Sequence, residues 1–347
     1  MLSELRWVFE NVRNVVRSVS KHAPHRDCFQ YCLNLSMSCL RLCRMDASKS
    51  FYEYTPAAHF LVSDEDAADF LQSQFTNDLR PFEAGRCTYG LWLDVKGKVI
   101  ADSVVLCEGD ERFRVLSERC AGERIIAHLQ RHIIADDVEI EHCASGYAFE
   151  LSGTGLQAAG WSLPRPQNYV RIDGGLLFSG RNGFYHMQFD STESRGVVWD
   201  RLVAAGLTAL TEGERGLCRI AAGIPQVPEE IGASDLPGEG ELEHEAISFT
   251  KGCYLGQEVV ARMHNVGRPQ RRLFIVQGEG RVPRPPMALY DSHAKQVGDL
   301  RSAYPRAEGW LGVAILKTRF ADAGSELHNG AFLMNVMNPL SEGLGND

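Results

Sequence analysis

No uninterrupted apolar run in these 347 residues approaches the roughly 18 to 20 that a membrane-spanning helix needs, which argues against an integral membrane protein and a membrane partner. No compact apolar stretch followed by a small-residue cleavage site stands behind the basic start, so a secretory signal is not expected. No CxxC pair is present among the ten cysteines, and no metal centre is expected. Cys87, Cys107, Cys120, Cys143, Cys218 and Cys253 show no regular framework, which suits free thiols in a reducing cytoplasm. An excess of positive charge is also missing. The formal charge of −9 argues against broad nonspecific binding to nucleic acid. What the chain does have is 44 % hydrophobic residues, ample for the cores of two or three domains.

Residues 1–44 differ in kind from the rest. They hold seven Lys/Arg against Glu4, Glu10 and Asp27, and four of the ten cysteines, Cys28, Cys32, Cys39 and Cys43. Those cysteines fall along one helical face, yet their spacing does not match the usual ligand pattern of a metal site. The segment reads either as an over-extended start ahead of Met45 or as an organelle-targeting leader, whose acidic residues fit poorly with a transit peptide. The expected location is therefore the cytoplasm, with the mitochondrial matrix as the alternative if residues 1–44 are a transit peptide.

From Ser63 onward the text alternates short strands with helices. Ser63-Asp64-Glu65-Asp66 reads as a helix cap with an acidic first turn, and Ala67, Ala68, Phe70 and Leu71 continue it. Thr88 to Leu93 and Val99 to Leu106 read as a hairpin about Lys96-Gly97, followed by a strand at Phe113, a helix from Ala121 to His132 and a strand from Val138. A second unit of the same kind runs through the strands at Tyr147, Tyr169, Leu176 and Phe184 and the helices Arg195 to Ala204 and Glu212 to Ala221. Gln226 to Glu245, rich in Pro, Gly and carboxylates, reads as an irregular loop. After Gly267 the short strands and turn residues predict a small barrel of roughly 75 residues. The domains expected are 1–44 as a leader, 45–145 and 146–267 as two α+β domains, and 268–347 as the barrel.

One octet looks built for chemistry: Lys251-Gly252-Cys253-Tyr254-Leu255-Gly256-Gln257-Glu258. It sets a cysteine between glycines, beside a lysine, where Gln257 to Met263 begins a helical run. A helix N-terminus and a neighbouring ammonium both favour thiolate over thiol, so Cys253 is a candidate reactive group. The competing reading is a buried cysteine acting as a small hydrophobe. Downstream, Arg262, Arg268, Arg271 and Arg272 form a basic island in an acidic protein, a candidate receptor for an anionic tail or an acidic partner.

The octet with its flanks, Ala246 to Thr250 and Val259 to Arg262, resembles the signature of the YgfZ family, folate-binding relatives of aminomethyltransferase, the T-protein of the glycine cleavage system. Arg219-Ile220-Ala221-Ala222-Gly223-Ile224-Pro225, Gln74-Phe75-Thr76-Asn77-Asp78 and Asp94 to Asp102 resemble further family segments in the same order. The resemblance implies an aminomethyltransferase-like α+β fold: two interlocked ferredoxin-like domains around a central folate hole, with a C-terminal β-barrel. It implies tetrahydrofolate or a derivative as cofactor, with Asp102 beside the reactive nitrogen and Lys251, Gln257, Arg262 and Arg268 as further binding candidates. It implies an accessory role in iron–sulfur cluster assembly or repair, with Cys253 as the reactive group and cluster-dependent clients or assembly factors as partners. The alternatives are a folate-dependent aminomethyltransferase using Asp102, or a non-catalytic folate-binding module. Where the T-protein carries a Thr-Gly-Glu-Asp-Gly run whose glutamate grips the pterin, this chain reads Ser179-Gly180-Arg181-Asn182-Gly183, and a guanidinium only donates.

Overall fold

The computed structural model of the chain describes residues 47–344 apart from Asp110, Ser145 and Arg268. The expectations for residues 1–44 and for Arg268 lie outside the described residues.

The first two strands, β1 (Ser50–Tyr54) and β2 (Ala58–Ser63), part company at once. β2 joins α1 (Ala67–Gln74), β3 (Cys87–Leu93), β4 (Val99–Gly109), β5 (Arg112–Ser117), α2 (Gly122–Gln130) and β6 (Glu139–His142) in a five-stranded antiparallel sheet of order β3-β4-β5-β2-β6. The hairpin between β3 and β4 turns where the sequence predicted: Asp94 Oδ1 accepts the Lys96 and Lys98 amides at 2.8 Å each, and Gly97 takes φ +72°.

β1 instead completes the second sheet, so residues expected in the first domain are hydrogen-bonded into the other. Its partners are β7 (Tyr147–Ser152), antiparallel, and, beyond α3 (Gly153–Ala158), β8 (Tyr169–Ile172), β9 (Gly175–Ser179), β10 (Phe184–Phe189) and α4 (Thr192–Ala204), the parallel strand β11 (Thr208–Ala209). The order is β11-β1-β7-β10-β9-β8. Phe51 carries the exchange: it is buried with Phe149, Leu151, Met187 and Phe189 and meets Trp199 of α4 edge-on at 5.0 Å. A smaller cluster of Cys87, Leu106, Leu116, Tyr169, Leu176 and Phe178 joins the two sheets.

After α5 (Glu212–Ala221), which opens on a Thr211/Glu214 capping box, comes the stretch predicted as an irregular loop. It is irregular but not a solvated loop: Ile231, Glu230 and Asp235 are fully buried. Glu230 pairs with Arg219 of α5 and accepts from Ser302, while Asp235 meets Arg271 and Arg301. The carboxylates that made the segment look like a loop are the pins that fix the barrel. That barrel closes in the order β12-β15-β14-β13-β16-β17 after α6 (Gln257–Val266). Its strands are β12 (Arg271–Gly278), β13 (Met287–Tyr290), β14 (Gln296–Pro305), β15 (Trp310–Lys317), β16 (Glu326–Asn329) and β17 (Phe332–Pro339), around Trp310, Leu300, Val297 and Met334. β16 is the strand the sequence did not reveal, being four residues of mixed polarity.

Candidate functional site: a side-chain cavity and a cysteine loop

Between the two sheets lies a cavity that encloses about 1080 Å³, its open mouth included. Asp102 of β4 faces it. The carboxylate accepts from Tyr89 Oη at 3.1 Å, Ser117 Oγ at 3.2 Å and Cys120 Sγ at 3.3 Å. Desolvation raises its pKa above the ordinary aspartate value, against the pull of Arg181 and the three donors. Burial and the adjacent Asp102 likewise push the Cys120 thiol up, so it is held as a donor.

Arg181, in the position where the resembling run carries a glutamate, is folded back into the wall. Its Nε donates to Glu245 Oε1 at 2.7 Å, its Nη1 to the Pro225 carbonyl at 2.8 Å, and its guanidinium lies 4.8 Å from the Tyr89 ring. The opposite wall is a network that no sequence motif marked. α5 places Arg215, Cys218 and Arg219 on one face at helical spacing. Arg215 grips Glu150 of β7 with two bonds, at 3.0 and 2.8 Å, and reaches Glu118 Oε2 at 2.6 Å. His186 accepts or donates at Nδ1 with Tyr54 Oη, 2.8 Å away, and burial lowers its pKa, which keeps the ring neutral. Two carboxylates thus share one guanidinium. Arg215 draws Glu150 below the usual glutamate range, while burial raises Glu118. Glu118 Oε1 is buried and has no hydrogen-bond partner.

Cys253 is elsewhere. It is exposed and is not part of the cavity lining. The two residues expected to carry chemistry, Cys253 and Asp102, are not brought together. α6 starts at Gln257 with Gly256 as its cap, so Cys253 stands ahead of the helix and outside its first turn, contrary to the helix-end setting expected from sequence. The Lys251 ammonium does not serve it either. It is buried and donates to the carbonyls of Gln72, Phe75 and Asn77 at 2.7, 2.6 and 2.9 Å, which uses all three of its N–H groups. Burial lowers its pKa to about 8. Lys251 is therefore a brace, not a ligand-binding cation.

The brace explains the rest of the octet. Leu255 N bonds to Ser73 O, Ser248 N to Thr76 O, and Thr76 Oγ1 to Ala246 O, so the segment docks by its backbone on the end of α1 and the Gln74 to Asp78 motif. Gly256 has φ +80°, and a Cβ there would lie 2.5 Å from the Asp94 carbonyl, so the glycine lets the loop touch the β3–β4 turn. Gln257 and Arg262 belong to α6, outside the cavity lining, and Arg262 is 70 % exposed and paired with Glu258. Arg271 and Arg272 of the basic island are neutralised by Asp235, Glu239 and Glu241. Their charge holds the barrel to the preceding segment instead of awaiting an anion.

Residues 44–154 match the family model of the GCVT N-terminal domain. A tRNA-modifying protein YgfZ of Edwardsiella ictaluri is 29 % identical over 276 residues, which cover 76 % of this chain and 78 % of that protein. The chain is a relative of the YgfZ proteins, similar to that one over about three quarters of its length. Among its more distant relatives is a mitochondrial iron–sulfur cluster assembly factor homologue of Yarrowia lipolytica, 24 % identical over 66 % of this chain and 56 % of that one. The crystal structure of aminomethyltransferase T of Bartonella henselae superposes with a TM-score of 0.68 at 14 % identity, covering 86 % and 88 % of the two chains. That likeness fixes the fold as aminomethyltransferase-like. The YgfZ signature octet is, in this chain, a docked surface loop, and the cavity lies between the two α+β sheets.

Proposed function

We propose that this protein is a tetrahydrofolate-binding accessory factor in iron–sulfur cluster assembly or repair, with the cavity as the folate site and Cys253 as a thiol offered to a partner. The observation that carries this reading is the separation of the two sites. A transferase working through Asp102 needs no thiol, whereas here the signature cysteine stands on the surface outside the lining, where a partner can reach it.

The cavity fits the cofactor. Tyr52, Tyr54, Tyr89, Phe178 and Phe184 give aromatic walls for a flat heterocycle, and the free Glu118 oxygen gives an acceptor for a ring N–H. Bound tetrahydrofolate supplies nitrogen-borne one-carbon chemistry. Asp102, held by three donors, orients the ring and stabilises positive charge near it, and the charge of Arg181 favours its ionised form. At the surface, Cys253 contributes one thiolate toward a cluster carried as cargo. One cysteine cannot hold a cluster, so an assembly factor or client must supply the other ligands. The likeness to a mitochondrial iron–sulfur cluster assembly factor homologue supports this assignment. We place the protein in the cytoplasm, or in the mitochondrial matrix if residues 1–44 are a transit peptide.

The test is complementation of a strain lacking the protein. Cys253→Ser is expected to bind tetrahydrofolate normally yet fail to restore cluster-dependent enzyme activities, with glycine cleavage intact throughout. Full restoration by Cys253→Ser sinks the proposal, and formation of methylenetetrahydrofolate from an aminomethyl-lipoyl carrier favours the transferase.

A further inference from the structure

The cavity-facing carboxylates divide sharply by how fully they are satisfied. Asp102 accepts from three side chains. Glu150 is held by two bonds from Arg215. Glu118 has one bond to Arg215 through Oε2, and its Oε1 is buried in the cavity wall without a donor. A carboxylate oxygen withdrawn from water and given no donor is costly, and where it lies in the wall of a cavity a ligand donor can supply the missing bond. Arg215 reaches Glu118 only through Nη2, which also serves Glu150, and its bond goes to Oε2. The cationic side chain at position 181 cannot take an N–H either, because it is a donor already committed to Glu245 and the Pro225 carbonyl.

We infer that Glu118 Oε1 is the acceptor for the donor edge of the heterocycle bound in the cavity, the ring N–H and exocyclic amino group of a reduced pterin. The inference rests on the folate reading of the cavity and names the residue that gives it specificity. Glu118 selects rings that carry adjacent donors, and Arg215, anchored by Glu150, positions it.

Glu118→Gln tests this by inverting the group. Arg215 only donates, so it will hold the amide oxygen, and the amide NH2 will then face the cavity where Oε1 stood, donor against donor. Tetrahydrofolate titrated against the full chain is expected to bind about 10- to 100-fold more weakly to the variant, the range for losing a charge-assisted bond. A second probe, the analogue with hydrogen in place of the exocyclic amino group, is expected to bind the native protein weakly and to lose little more in the variant. The ligand-free variant is expected to melt no lower than the native protein, because it relieves two carboxylates of sharing one guanidinium. Equal tetrahydrofolate affinity in both proteins overturns the inference alone. So does an equal proportional loss of the two probes, which would place the amino group elsewhere. A native protein that binds no folate overturns the reading of the cavity, and this inference with it.

Discussion

The cavity and the cysteine loop are built by opposite means. In the cavity the work is done by side chains: Asp102, Arg181, Arg215, Glu118, Glu150 and His186 come from six different segments and are held by side-chain hydrogen bonds and ion pairs, Arg215 to Glu118 and Glu150 and the others to Tyr89, Glu245 and Tyr54. The loop is held by main chain. Lys251 reaches three carbonyls, Leu255 and Ser248 add amide bonds, and Gly256 closes on the Asp94 carbonyl, while the cysteine itself touches little and faces solvent. A cavity for a small molecule needs converging polar groups whose charges are balanced except where the ligand will complete them. A group offered to a large partner needs a rigid base and an unencumbered tip. One chain carries both, and the segment Gln74 to Asp78 lies close to each: Asn77 Nδ2 donates to the carbonyls of Tyr89 and Glu245 on the cavity side, and the Asn77 carbonyl receives Lys251.

The contrast can be broken most strongly at Arg181. Arg181→Met leaves Glu245 without its partner and Asp102 without the charge that lowers its pKa, and losing one member of a largely buried ion pair is expected to cost about 3–5 kcal/mol. Chemical denaturation measures it. A loss below about 1 kcal/mol would mean that the cavity does not depend on its charge balance. Next in size is Gly256→Ala, which forces a side chain into a left-handed backbone position against the Asp94 carbonyl. It should cost about 1–3 kcal/mol and speed alkylation of Cys253 as the loop lifts. Gly252→Ala is its control, since a Cβ there meets nothing within 4 Å, and the two variants behaving alike would remove the docking account. The smallest effect is a slope. Asp102 has a raised pKa, so the folded state binds that proton more tightly than the unfolded chain. The stability it contributes is fully present below the unfolded carboxylate pKa and is lost as pH rises through the folded value. Asp102→Asn should flatten that part of the stability–pH curve, and an unchanged curve would show that Asp102 titrates as an ordinary aspartate.

Much of the fold was legible because local rules and tertiary need agreed. The Asp94 to Gly97 turn, the helix from Glu212 to Ala221 and the strands at Tyr169 and Phe184 lie where side-chain periodicity and turn residues put them. The exchange of β1 into the second sheet was not legible, since a five-residue strand carries no mark of which sheet it will join. Among site residues, Asp102 was found through its motif. Glu118 and Glu150 were not, because a glutamate after a strand or within one reads as a solvent-facing residue until the fold buries it. A faint signal was available in α5, where Arg215 and Arg219 fall on the same helical face as the apolar residues.

The octet from Lys251 to Glu258, the mixed pattern of strands and helices and the closing barrel were determined by the sequence itself, through spacing, glycine positions and turn chemistry. What the octet does was decided only in three dimensions. Its lysine looked like an activating charge and is a structural brace, because three backbone carbonyls 170 and more residues earlier in the chain point at one place. Its cysteine, the expected reactive group, stands outside the cavity that holds Asp102, because that cavity forms between two sheets whose strands are exchanged. Periodicity fixes which face of an element is buried; it does not fix which distant charges that burial brings together, and the cavity is made of those charges.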